Sequence, residues 1–216
     1  MQPEFWLDCW QNNKLGFQLD AVHPLLVDAL ERLNLQESQV FVPLCGKSPD
    51  LLYLAQYFHV LGNELSEIAC RDFFAEHKLA VSEQQIGEFN CFTTTNIRLL
   101  QGDFFALSKA DIADIRLVYD RAALIALPVG MRQRYAAHLS TLIEPGGQIV
   151  LIALEYPEHE KHGPPFSVQS TELSLLFPGA KIDVLAEEDL TGQGFARRRF
   201  NTSSLIETLY LITLPV

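Results

Sequence analysis

The chain has 216 residues, 48% of them hydrophobic and 20% charged, with a formal net charge of −11. That length fits one domain at roughly 100–200 residues per domain, and the composition excludes a disordered or collagen-like chain. A polyanion repels phosphate backbones, so nucleic acid is not an expected partner.

The first ten residues hold both tryptophans, Trp6 and Trp10, one helical turn apart and beside Phe5, with Phe17 soon after. These rings read either as a staple that pins a leading helix to the core or as a lid over a ligand. An indole face also attracts a cation such as a sulfonium. The opening lacks a basic segment followed by an apolar core, so no signal peptide is expected. Cys9, Cys45, Cys70 and Cys91 are scattered without a CxxC pair, which fits a cytoplasmic protein. The longest apolar stretches, around 122–129 and 149–154, are too short to span a bilayer.

Residues 20–33 carry Val22, Leu25, Leu26, Ala29, Leu30 and Leu33 at helical spacing. Residues 39–44 form an apolar, β-branched run that reads as a buried strand. The turn at 45–49 follows, with Ser48 as N-cap and Pro49 as first residue of a helix to about 58. A strand at 60–64 and a helix at 66–78 come next, then strands at 97–100 and 116–119. A helix at 130–143 ends in Glu144-Pro145-Gly146-Gly147, which is turn chemistry. A strand at 148–155, a helix at 170–177 and strands at 181–185 and 205–214 complete the pattern. Alternating strands and helices predict an α/β domain with a mostly parallel sheet. Such sheets bind ligands at the carboxyl ends of their strands.

Four features stand at those ends. Gly46 follows the first strand and lets backbone approach a ligand closely. Glu64 ends the second strand, 18 positions later, where an acid commonly accepts hydrogen bonds from ribose hydroxyls. One glycine replaces the three of GxGxxG, so a nucleoside cofactor without phosphates fits better than a dinucleotide. A tight turn beside an exposed Glu is the plainer alternative. Asp103-Phe104 suits an adenine edge and face, or Asp103 caps a helix. Asp120-Arg121 is either a surface ion pair or a pocket lining. No P-loop and no GxSxG elbow is present. The histidines, His159 and His162 included, lack an HExxH pattern, so no metal site is expected. The run Arg197-Arg198-Arg199 reads as a solvated face or, less simply, as a site for an anionic substrate.

Read in full, the motifs occur in one order: Phe5-Trp6 to Trp10, Gly16-Phe17, PLCGKS at 43–48, Gly62-Asn63-Glu64-Leu65-Ser66, DRAAL at 120–124 and GPPF at 163–166. Over nearly its whole length the chain resembles the thiopurine S-methyltransferase family, its bacterial branch in particular. The resemblance implies a Rossmann-like class I methyltransferase fold. Its seven-stranded, mostly parallel sheet carries helices on both faces and a helical cover over residues 1–35. It implies S-adenosylmethionine as cofactor, S-adenosylhomocysteine as product, and direct displacement onto a small-molecule thiol, selenol or tellurium acceptor. By the same resemblance Trp10, Leu44, Gly46, Glu64, Asp103, Phe104 and Arg121 meet the cofactor. Phe17, Pro165 and Phe166 meet the acceptor. For a direct displacement, Arg121 is then expected to stabilise the anionic acceptor, with Asp120 orienting it. A monomer is expected. Two features depart from the family: Asn63 stands where a small apolar residue is usual, and 192–200 fits the pattern poorly. The alternatives are transfer to oxygen, nitrogen or inorganic selenium or tellurium, a non-catalytic adenosyl-cofactor-binding protein, and a dinucleotide-dependent reductase.

Overall fold

The computed structural model describes residues 3–33, 35–196 and 198–216. Two helices lead: α1 (Pro3–Gln11) and α2 (Pro24–Arg32). Beyond them β1 (Gln39–Val42), α3 (Asp50–Leu54), β2 (His59–Glu64) and α4 (Glu67–Glu76) alternate. The chain continues through β3 (Ser82–Ile86), β4 (Phe89–Thr93), β5 (Ile97–Gln101), α5 (Lys109–Ile112), β6 (Leu117–Arg121), α6 (Val129–Leu142) and β7 (Gln148–Glu155). It ends with α7 (Ser170–Leu176), β8 (Lys181–Asp189), β9 (Gly194–Phe195), β10 (Arg198–Arg199) and β11 (Ile206–Thr213). Nine strands form one sheet in the order β3-β4-β5-β2-β1-β6-β7-β11-β8, and β9 and β10 pair separately. The central five, β5 to β7, run parallel. Strand order reverses at β1, between β2 and β6, which opens a crevice at the carboxyl ends there.

The parallel strands are buried on both faces, which is why they read as continuous apolar runs. Val40, Val42, Val60 and Leu99 pack on one side against α2, α3 and α4. Phe41, Leu61 and Val118 pack on the other against Tyr135, Ala136 and Leu139 of α6.

The expected α/β class holds, with nine strands in the main sheet rather than seven. The added edge is the β3–β4 hairpin. Ser82–Ile86 is exposed throughout and has no apolar face to announce it. Its pairing comes from the two-residue turn at 87–88, where Gly87 takes φ +57. The helix expected over 20–33 begins at Pro24, because proline suits a first turn and the His23 ring caps the Leu25 N–H. The helix expected from 49 to 58 is short. Ser48 Oγ accepts from Asp50 N, but regular helix stops at Leu54. Ser66 caps α4 through Ala69 N, near the expected start. Arg197 lies outside the described residues.

A buried carboxylate fastens the leading segment to the sheet. Asp50, 0% exposed, accepts from His23 N at 2.9 Å and from the Tyr119 hydroxyl at 2.9 Å. His23 Nε2 then meets Glu207 of β11 at 3.2 Å. Asp50→Ala leaves a buried tyrosine hydroxyl and a backbone N–H without partners. Urea denaturation is expected to show a loss of about 2–4 kcal/mol.

Candidate active site

A cavity of about 550 Å³ opens at the carboxyl ends of β1, β2 and β6. That size suits a small-molecule ligand. Its walls include Trp10, Phe17, Leu44, Gly46 and Glu64, then Asp103, Phe104, Arg121 and Pro165. Residues far apart in sequence meet here because each ends a strand or covers one.

The turn after β1 is shaped for close approach. Leu44 and Gly46 take φ +47 and +55, a region costly for leucine and open to glycine. A Cβ on Gly46 would stand 3.2 Å from the Trp10 ring. That ring, buried at the end of α1, packs edge-on to Phe17 with centroids 5.5 Å apart, and Trp6 meets Phe17 at 5.6 Å. The tryptophans therefore both anchor α1 and wall the cavity. Lys47 of the same turn points away, to Asp72 and Glu76 on α4.

Glu64 locks two strand ends together. Its Oε2 accepts from Gly46 N at 2.8 Å and its Oε1 from Ser66 N at 2.7 Å. Burial raises its pKa, while those backbone N–H groups pull it down again. Asp103 serves as a cap and as a wall: Oδ1 accepts from Phe105 N, opening the 3₁₀ turn Phe104–Ala106, and the side chain borders the cavity. The cavity also borders Cys45, whose thiol is pushed well up by burial.

Two expected site residues are not in the cavity wall. Asp120 is turned into the core, where it accepts from the Tyr135 hydroxyl at 2.6 Å and Leu124 N at 3.1 Å. It forms no ion pair with Arg121 and does not line the cavity. Successive strand residues point to opposite faces, so one neighbour of the pair must turn away. Arg121 keeps the cavity: its Nε is buried without a hydrogen-bond partner, and one terminal nitrogen lies 3.5 Å from Phe17 O. Phe166 stands back from the cavity beside the Arg132 guanidinium, 6.0 Å from its ring centroid. Its backbone N donates to Ile125 O, which leaves Pro164 and Pro165 in front. The Tyr156 hydroxyl, donating to Pro165 O at 2.6 Å, and Arg132, donating to Ser167 O at 2.7 Å, hold that loop in place.

Met131, Arg134 and Tyr135 of α6 also border the cavity, with the Arg134 guanidinium 4.7 Å from the Phe105 ring centroid. Their i, i+3, i+4 spacing is visible in the sequence, but it marks a helix face and not what that face meets. Among the described residues no cluster of three or more His, Cys, Asp or Glu is placed to hold a metal ion, and no helix is long and apolar enough to cross a membrane.

Burial lifts the Asp120 carboxyl to about 6 from 3.8, against hydrogen bonds that pull the other way. The folded chain therefore holds this proton more tightly than the unfolded chain. Asp120's contribution to stability is greatest below pH about 4 and is lost as pH rises through about 6. Asp120→Asn is expected to remove that slope. Chemical denaturation at intervals from pH 4 to 7 checks it, read as the difference between wild type and variant.

The thiopurine S-methyltransferase family model matches residues 1–214. A Pseudomonas aeruginosa thiopurine S-methyltransferase is 44% identical over 215 residues, covering 98% of this chain and 99% of that protein. One from Photobacterium profundum is 41% identical over 214 residues, covering 98% and 99%. Among solved structures, an Anabaena variabilis SAM-dependent methyltransferase superposes with a TM-score of 0.70 at 20% identity, covering 98% of this chain and 94% of that one. A Burkholderia thailandensis 1,6-didemethyltoxoflavin-N1-methyltransferase, solved with 1,6-didemethyltoxoflavin and S-adenosylhomocysteine, gives 0.63 at 15% identity, covering 98% and 87%. The fold is that of the class I methyltransferases, and the chain belongs to the thiopurine S-methyltransferase family.

Proposed function

We propose that the chain methylates the sulfur of thiopurines or other aromatic and heterocyclic thiols, using S-adenosylmethionine and a direct displacement. The observation that carries this reading is Arg121, a guanidinium with a buried and unpartnered Nε at the edge of an aromatic-walled cavity. The bound cofactor supplies a methyl group made electrophilic by a sulfonium.

The residues present fit that group. Gly46 lets the turn after β1 come within van der Waals reach of the Trp10 ring, where a side chain would crowd the ring. Glu64 takes the ribose hydroxyls on carboxylate lone pairs that the Gly46 and Ser66 N–H groups leave free. Asp103 and Phe104 take the adenine edge and face, and Leu44 lines the same wall. Trp6 and Trp10 present indole rings to the positive charge.

On the acceptor side Phe17 and Pro165 fix the plane of an aromatic ring. Arg121 favours the thiolate over the thiol and offers it a charge-assisted hydrogen bond. A heteroaromatic thiol ionises readily, so positioning and exclusion of water do more here than a general base. Asp120 acts at one remove: by holding Tyr135 and Leu124 N it shapes the turn that presents Arg121. The chain works as one methyltransferase unit, its first 35 residues forming the cover, and as a cytoplasmic monomer.

Titration calorimetry with S-adenosylhomocysteine, beside a nicotinamide dinucleotide control, tests the cofactor site. Glu64→Gln is expected to weaken the first ligand roughly 10- to 100-fold, and equal affinity in both proteins refutes the ribose assignment. Arg121→Ala is expected to lower kcat toward an aromatic thiol on the order of 100-fold, with S-adenosylhomocysteine affinity changed by less than about threefold. Steady-state kinetics with parallel calorimetry separates the two effects.

A further inference from the structure

Asn63 is a polar residue inside β2, next to Glu64. It is 0% exposed in the middle of the sheet. Burying an amide there is costly unless it is hydrogen-bonded. Its register partner on β5 is Leu100. The Asn63 Nδ2 donates to Leu100 O at 3.0 Å and to Gly102 O at 3.2 Å. These carbonyls flank Gln101, the last residue of β5, so the amide extends the strand pairing one step past the end of the strand.

The segment it grips leads straight into the cavity wall. Gly102 takes φ +157 and presses on Phe89, where an added Cβ would stand 2.6 Å from the ring. Gly102 N donates to Glu64 O at 2.9 Å, and Gln101 Nε2 to Leu65 O at 2.9 Å. Asp103 and Phe104, which border the cavity, come next. The main chain of 64–65 thus holds this turn on one side and the Asn63 amide on another. Asn63 itself is not in the cavity wall. Its Oδ1 is buried without a partner, so the residue leaves a polar atom unsatisfied while its amino group grips the turn.

We propose that Asn63 is a positioning residue for the cofactor: by clipping the Leu100 and Gly102 carbonyls it sets where Asp103 and Phe104 stand. This rests on the assignment of those two residues to the adenine given above. Removing the amide loosens the adenosyl end of the cavity. Folding stability changes little, because an apolar residue also removes the unpartnered Oδ1.

The test is a double-mutant cycle read by calorimetry with S-adenosylhomocysteine, using wild type, Asn63→Val, Asp103→Ala and the double variant. Asn63→Val is expected to raise Kd about 3- to 10-fold. Its melting temperature stays within a few degrees of wild type, and kcat at saturating cofactor and the KM for the acceptor do not change. The double variant loses less than the product of the single losses, because Asn63 acts through Asp103. Asn63→Ser keeps one donor and falls between, and it decides by the same criteria if the valine variant does not fold. An unchanged Kd in Asn63→Val, or losses that multiply independently, overturns the proposal while a weakened Asp103→Ala leaves the adenine assignment standing. An unchanged Kd in Asp103→Ala overturns the assignment and the proposal together.

Discussion

Everything at the ligand end of the sheet depends on the Glu64 carboxylate. Its two oxygens accept from Gly46 and Ser66, so one side chain ties the turn after β1 to the start of α4. A carboxylate taken from water needs such partners, and here the backbone supplies them. The bonds also fix the turn in which Leu44 carries an unfavourable φ and Gly46 nearly touches Trp10. Strain of this kind persists only where surrounding contacts over-determine it. The same acid thus both fastens the crevice and lines it.

Two further buried carboxylates, Asp50 and Asp120, do comparable work on opposite faces of β6. Asp50 takes the Tyr119 hydroxyl and His23 N, binding the leading segment to the sheet. Asp120 takes the Tyr135 hydroxyl and a backbone N–H of the following turn, binding α6 to the strand end. Both sides of the strand are therefore fixed by short hydrogen bonds, and Arg121, the next residue, projects from a rigid base. In the proposed reaction, preorganisation of this sort would let one guanidinium act without reordering itself when charge develops. Asp120 is tuned differently from a surface acid because burial disfavours its ionised form.

The α1 segment shows how core packing and the cavity wall share residues. Trp10 packs on Phe17 and Gly46, and Trp6 reaches the same Phe17 ring. Aromatic rings bury much area at small entropic cost, so a nine-residue helix can be held by few contacts. The staple reading holds in this fold, and the same rings border the cavity.

Contiguous patterns were legible in the sequence: the apolar runs of β1, β2, β6 and β7, the Ser66 helix start, and the strand-end motifs around Gly46, Glu64, Asp103 and Arg121. These determine the family, the fold class and the cofactor, because each is local and its chemistry lies within a few residues. The outer strand β3 escaped because an exposed edge strand needs no apolar alternation. Only the tertiary structure decided that Asp120 turns inward while Arg121 lines the cavity, since alternation along a strand does not say which face meets which layer. It also brought Met131, Arg134 and Tyr135 to the cavity, set Phe166 behind Pro165, and joined His23 to Glu207 across 184 residues of chain. Such contacts depend on how helices and strand ends pack across the sheet, and no spacing along the chain encodes that distance.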